Sequence, residues 1–153
     1  MLKGLFHGLA AGAAGTTALN AATYADMAAR GRPSSSTPQQ AVEKLAGQAG
    51  VDIPGQGQER QNRLEGLGPL SGAATGVGVG AVFGILRGLH IRLPFLADTA
   101  IIGASAMLAA NLPMARMGIT NPKTWSNQDW LSDVLPHLAY GAVTHATLRA
   151  MEK

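Results

Sequence analysis

The chain has 153 residues, room for one domain, and carries 14% charged residues, a formal net charge of +3 and no cysteine. The lack of cysteine excludes disulfides, thiolate metal sites and cysteine nucleophiles. So low a charged fraction is unlike a soluble domain, and without a basic patch interleaved with aromatics there is no footing for nucleic-acid binding.

Four apolar stretches, each about 20 residues and so about 30 Å as helix, predict an all-α, four-helix integral membrane bundle in one domain. Mean hydropathy is only +0.11, because alanine and glycine supply much of the apolar count. A soluble Ala/Gly-rich bundle is the alternative. The first stretch covers about 4–28. Lys3 and the small apolar run from Gly8 to Leu19 invite a signal-peptide reading. The run lacks a leucine core and a clean A-x-A site, so an uncleaved first helix is expected.

A hydrophilic loop at 29–65 follows. Arg30-Gly-Arg-Pro-Ser-Ser-Ser36 reads as irregular chain. Thr37-Pro38-Gln39-Gln40 then announces a short amphipathic helix, with Thr37 as cap, Pro38 in the first turn and Gln40 closing a capping box. Asp52 to Arg63 is expected to be exposed and flexible.

The second span, 66–86, holds the strongest pattern in the chain. Gly68, Gly72, Gly76, Gly80, Gly84 and Gly88 recur every four residues, and no charge lies between Glu65 and Arg87. In water each interior glycine costs about 1 kcal/mol relative to alanine. In a bilayer small residues let helix backbones approach and gain dispersion and Cα–H···O contacts. Gly4, Gly8 and Gly12 repeat the spacing in the first span, so glycine-zipper packing of span one on span two within one chain is expected, with a homo-oligomeric glycine contact as second choice. A stripe at four-residue spacing drifts about 40° per step, so the six glycines cannot all face one straight neighbour.

A short basic turn, Arg87 to Arg92, leads to the third span at 93–115, making these two helices an antiparallel hairpin. Ser126-Asn-Gln-Asp129 is a second capping box and starts the fourth span, 130–151. Trp125, Trp130 and Tyr140 fit an interfacial girdle at that end, with Tyr140 lying too deep for it as the alternative. Pro113 and Pro136 are expected to interrupt the third and fourth helices. Four spans place Lys3, Arg87, Arg92, Arg149 and Lys153 on one side, opposite Arg30, Arg32, Lys44, Arg60, Arg63, Arg116 and Lys123. Charge density close to the helix ends favours cytoplasmic termini; raw count favours the reverse.

Asp133, His137, Gly141, His145 and Arg149 share one helical stripe. An aspartate one turn before a histidine can fix its tautomer, and ionisable groups at membrane depth point to function. Asn20, Asp98 and Asn111 would complete a polar relay with Asp133, His137 and His145. The plainer alternative puts Asp133 and Arg149 at the two interfaces and bonds both histidines to backbone. His137 and His145 are too far apart to share a metal, and no metal site or catalytic motif is present. The expected cofactor content is none, with a b-type haem between His7 and His137 as the remote alternative.

The run GLAAGAAG (Gly8 to Gly15), a polar proline-containing loop, a glycine-rich second helix, Asn111-Leu-Pro113 and the Asp133-x3-His137 opening together resemble small uncharacterised bacterial inner-membrane proteins of the YagU-like type. The resemblance implies a multi-pass protein of the bacterial plasma membrane without established catalytic activity. The favoured function is a non-enzymatic accessory or scaffold component in the lipid bilayer, packing as a homo-oligomer or in a larger membrane complex. A small transporter or proton-conducting unit is the alternative; an enzyme acting on a lipid or quinone has no motif behind it.

Overall fold

The computed structural model describes residues 1–152; Lys153, counted above among the terminal cations, lies outside the described residues. The described chain is all-helical: α1 Leu2–Arg30, α2 Thr37–Gln48, α3 Gly57–Gly88, α4 Phe95–Arg116, a 3-10 turn at Pro122–Thr124, and α5 Asn127–Met151. Two helices, α3 and α4, are long and apolar enough to cross a membrane. The other two long helices, α1 and α5, have the length without the same apolarity.

The four long helices form a ring. α1 lies between α3 and α5, and α4 closes the ring against both. All neighbours run antiparallel, which gathers the start of α1, the end of α3, the start of α4 and the end of α5 at one end of the molecule. The longest run of glycine-to-backbone contacts joins α1 and α3. A methyl added at Gly4 would sit 2.6 Å from the Gly84 carbonyl oxygen, at Gly8 2.5 Å from that of Gly80, and at Gly12 2.7 Å from that of Gly76. Each four-residue step along α1 is answered by four residues back along α3. Only hydrogen fits at these positions, because the obstructing atoms are backbone and cannot swing aside. The rest of the α3 stripe turns away as the 40° drift requires: Gly68 meets Pro38 and Gln39 of α2, and Gly72 faces open space.

Tyr140 of α5 is fully buried and inserts between α1 and α3. Its hydroxyl donates to the Gly76 carbonyl at 2.6 Å, and a methyl at Gly15 would meet its ring at 2.9 Å. Tyr140 is therefore a core residue and no part of an interfacial girdle. Trp125 and Trp130 do pair at the opposite end, edge to face with centroids 5.0 Å apart, and the Trp125 indole N–H donates to Thr120 Oγ1 at 2.9 Å.

Several local expectations are modified. The capping box at the head of α5 forms as predicted: the Ser126 hydroxyl accepts from the Asp129 amide at 3.2 Å, and the Ser126 amide donates to Asp129 Oδ2 at 2.9 Å. At α2 the expected capping box does not form: the N-cap position is Ser36, its side chain accepts no bond from the amides of the first turn, and the Gln40 side chain donates to the Ser36 hydroxyl at 2.9 Å. Asp52–Arg63 is not wholly irregular, since α3 already begins at Gly57. Its polar first turns are laced by four-residue pairs, Gln58 to Asn62 at 2.8 Å and Arg63 to Glu59 at 2.7 Å. An Arg60–Glu43 ion pair at 2.7 Å also ties them to α2. Pro113 and Pro136 lie inside continuous helices rather than ending them.

Candidate functional site

The end that collects α1, α3, α4 and α5 holds a buried charged cluster. Arg87 closes the last turn of α3 and Asp98 opens the first turn of α4, so each sits where the helix dipole favours its charge. The two pair directly through Nη2 and Oδ2, with side chains 8% and 7% exposed. His145 reaches the pair from α5: its Nδ1 lies 2.7 Å from Asp98 Oδ2 and 2.8 Å from Arg87 Nη2. That nitrogen either donates to the carboxylate or accepts from the guanidinium, and cannot do both. In either tautomer Nε2, also buried, has no hydrogen-bond partner among the described residues. Phe95 packs edge-on against the ring, centroids 5.1 Å apart.

A second polar node lies further along the same stripe of α5. The Asn111 amide donates to Asp133 Oδ2 at 2.6 Å, bridging α4 and α5. His137 Nδ1 lies 2.6 Å from the Asp133 backbone oxygen, which can only accept, so this nitrogen donates to it. The Asp133 carboxylate stands farther off, at 3.5 Å.

The two nodes are separated by eight residues of α5, about 12 Å of helix. A tight α4–α5 crossing fills the interval. A methyl at Gly103 would lie 2.6 Å from the His137 carbonyl oxygen, and one at Gly141 2.9 Å from the Gly103 amide nitrogen. Thr99 Oγ1, also buried there, has no hydrogen-bond partner among the described residues.

Of the six residues expected to form a polar relay, the structure gathers Asp98 with His145, and Asn111 with Asp133 and His137. Asn20 is exposed on α1 and belongs to neither node. Arg87, absent from the expected set, is central to the first node. It was legible only as a topology marker at a helix end, since nothing in its spacing announces Asp98 eleven residues later.

His7 and His137 are not brought together. The Thr144 hydroxyl of α5 lies 3.4 Å from the Ala11 carbonyl of α1, which places His7 and His137 on opposite sides of that level and about 16 Å apart along the axis. The geometry leaves no place for a haem between them. Among the described residues no group of three or more His, Asp or Glu is close enough to hold a metal ion.

Around the first node the surface opens into two clefts. One, of about 310 Å³, is lined by Phe95, His145 and Arg149. The other, of about 380 Å³, lies over the α3–α4 turn and is lined by Lys3, His7, Arg87, His90, Arg92 and Glu152 among others. Glu152 reaches across it, Oε1 to Arg87 Nη1 at 3.3 Å and Oε2 to Arg92 Nε at 3.8 Å. Outside the long apolar stretches, the Asp129 carboxyl is held below the usual carboxylate range by the Ser126 hydroxyl and amide.

No known protein family matches the chain, and neither the curated proteins nor the solved structures contain a match to it.

Proposed function

We propose that the chain is a non-enzymatic, multi-pass integral membrane protein whose four long helices form a glycine-packed bundle. In this reading it serves as an accessory or scaffold component, in a larger membrane complex or as a homo-oligomer, in the bacterial inner membrane. The observation that carries the reading is the contrast between what the α1–α3 seam buries and what the bundle leaves exposed. Gly8, Ala11, Gly12, Gly76, Gly80 and Gly84 are buried, whereas Phe6, Leu70, Leu96 and Leu108 are 61%, 65%, 78% and 62% exposed. A soluble protein buries its large apolar groups, because that burial drives folding. Lipid removes that drive and favours close backbone packing inside with leucine outside. The accessible surface of 9002 Å² also exceeds the roughly 7300 Å² expected of a soluble monomer of this mass.

The scaffold role draws on Gly72. It is the glycine of the six that has open space before it, so a partner helix can approach α3 there without disturbing the α1–α3 seam. The test has two parts. Membranes washed with alkaline carbonate should retain the protein; release into the supernatant overturns the membrane reading. Native mass in a mild detergent should then show a larger particle that Gly72→Leu dissociates without unfolding the chain. A bare monomer unaffected by Gly72→Leu removes the scaffold role.

A proton-conducting or transport role is the second reading, favoured by the contact of Asp98, His145 and Arg87 at the end of the apolar spans. It requires protons to cross the Gly103–Gly141 interval, where Thr99 Oγ1 is the buried hydroxyl at hand. A pH-dependent flux in liposomes that disappears in His137→Ala would replace the scaffold account with this one.

A further inference from the structure

We propose that the cleft over the α3–α4 turn binds a phosphate-bearing anion, with the Glu152 carboxylate as an internal stand-in that the ligand displaces. Among the described residues three cationic side chains, Lys3, Arg87 and Arg92, line the cleft with one carboxylate side chain, Glu152. Behind them Asp98 is already matched by Arg87 through Nη2, which leaves Nη1 directed at the cleft. Arg87 is built into the wall, its side chain only 8% exposed, and a fixed, buried guanidinium offers oriented donors with little entropy left to lose. Glu152 marks where an anion sits, yet fills the place poorly. Its contacts of 3.3 and 3.8 Å are long for a charged pair, and it spans the two arginines only by dividing its two oxygens between them. A phosphate presents more oxygens over a wider span, and the volume of about 380 Å³ exceeds what one carboxylate needs.

His90 is an independent observation at the same place. It takes a left-handed backbone, φ 65°, while Ile91 N–H closes the helix end on the Leu86 carbonyl at 3.1 Å. Glycine is the residue that fits this helix-ending position without strain, and this chain spends a histidine there, at a residue that lines the cleft. An imidazole that donates to a bound anion gives that choice a chemical reason.

Two sources supply such an anion: the headgroup of an acidic phospholipid, which rests on the membrane reading above, and free phosphate, which does not. Protein in a neutral detergent is titrated with short-chain phosphatidylglycerol, phosphatidylcholine and inorganic phosphate, with binding followed by native mass and calorimetry. The expected result is one saturable site that prefers phosphatidylglycerol over phosphatidylcholine. Arg92→Gln should weaken it about fivefold. Glu152→Gln should tighten it severalfold, because the internal competitor is gone. His90→Gly should weaken binding while the melting temperature holds or rises, which separates lost recognition from lost folding. Inorganic phosphate that binds with the same pattern across variants, without a lipid preference, assigns the site to the free anion. Equal binding of both lipids with no phosphate binding, or a Glu152→Gln variant that binds no tighter than the parent, overturns the proposal. Protein that stays monodisperse without detergent refutes the membrane reading separately, and the phosphate titration still reads the cleft.

Discussion

The α1–α3 and α4–α5 seams both bring glycine against backbone, yet they specify their pairing by different physics. Along α1–α3 the contact repeats at Gly4, Gly8 and Gly12, with little but shape to define the register. Along α4–α5 a single glycine crossing, Gly103 on Gly141, is flanked by side-chain bridges, Asp98 to His145 on one side and Asn111 to Asp133 on the other. A repeating stripe tolerates a slip of four residues, since each glycine then meets the next. The bridges do not, because a slipped Asp98 would be buried without its partners. Shape sets how closely the helices lie, and the polar contacts set where along their length they stop.

That contrast can be broken most severely at Arg87. Arg87→Met leaves Asp98 buried without its cation and should cost about 4 kcal/mol of stability in detergent unfolding. Arg87→Met with Asp98→Leu should recover much of the loss, and a double variant as unstable as the single one would show that shape alone governs this end. Next in size, Gly80→Ala drives a methyl into the Gly12 backbone and should cost about 2 kcal/mol through forced separation of α1 and α3. Gly72→Ala, on the same stripe but in open space, should be neutral or gain up to about 1 kcal/mol from helix propensity. Equal effects at 72 and 80 would mean that propensity, not close approach, explains the stripe.

The smallest effect concerns the head of α5. Asp129 has its pKa depressed by the Ser126 hydroxyl and amide, so its contribution to the fold is complete above the ordinary carboxylate pKa and is lost as pH falls through the depressed value. Acidification, or Ser126→Ala at neutral pH, should speed amide exchange in the first turn of α5. The distant α1–α3 seam should be unmoved.

What the sequence made legible follows the range of each interaction. Signals contained within four residues were readable: the Ser126–Asp129 box and the glycine spacing both act inside one or two helical turns. The start of α2 shows the limit of even that, since Ser36 and Thr37 both carry a hydroxyl, yet the helix begins with Ser36 as N-cap and without a side-chain bond from that residue to the first-turn amides. The polar start of α3 was hidden because its support comes partly from α2, through Glu43 and Arg60. The site was legible by residue type and not by grouping. Asp98 and His145 were both candidates, but their meeting depends on which faces α4 and α5 present at one level. Arg87 stayed invisible for the same reason, and Asn20 looked equivalent to Asn111 until helix rotation placed one outside and one against Asp133.

The position of α1 within the ring carries a consequence for how the protein is made. α1 precedes in the chain both helices it is wedged between, α3 and α5, and α3 and α4 are the helices long and apolar enough to cross a bilayer. On the membrane reading, α1 is synthesised before either of its partners, and α3 reaches it before α5 does. Assembly would then begin in the middle of the chain, with the α3–α4 hairpin settling first and α1 seating along the glycines of α3. Tyr140, entering between α1 and α3 with α5, would lock that order of events into the folded bundle.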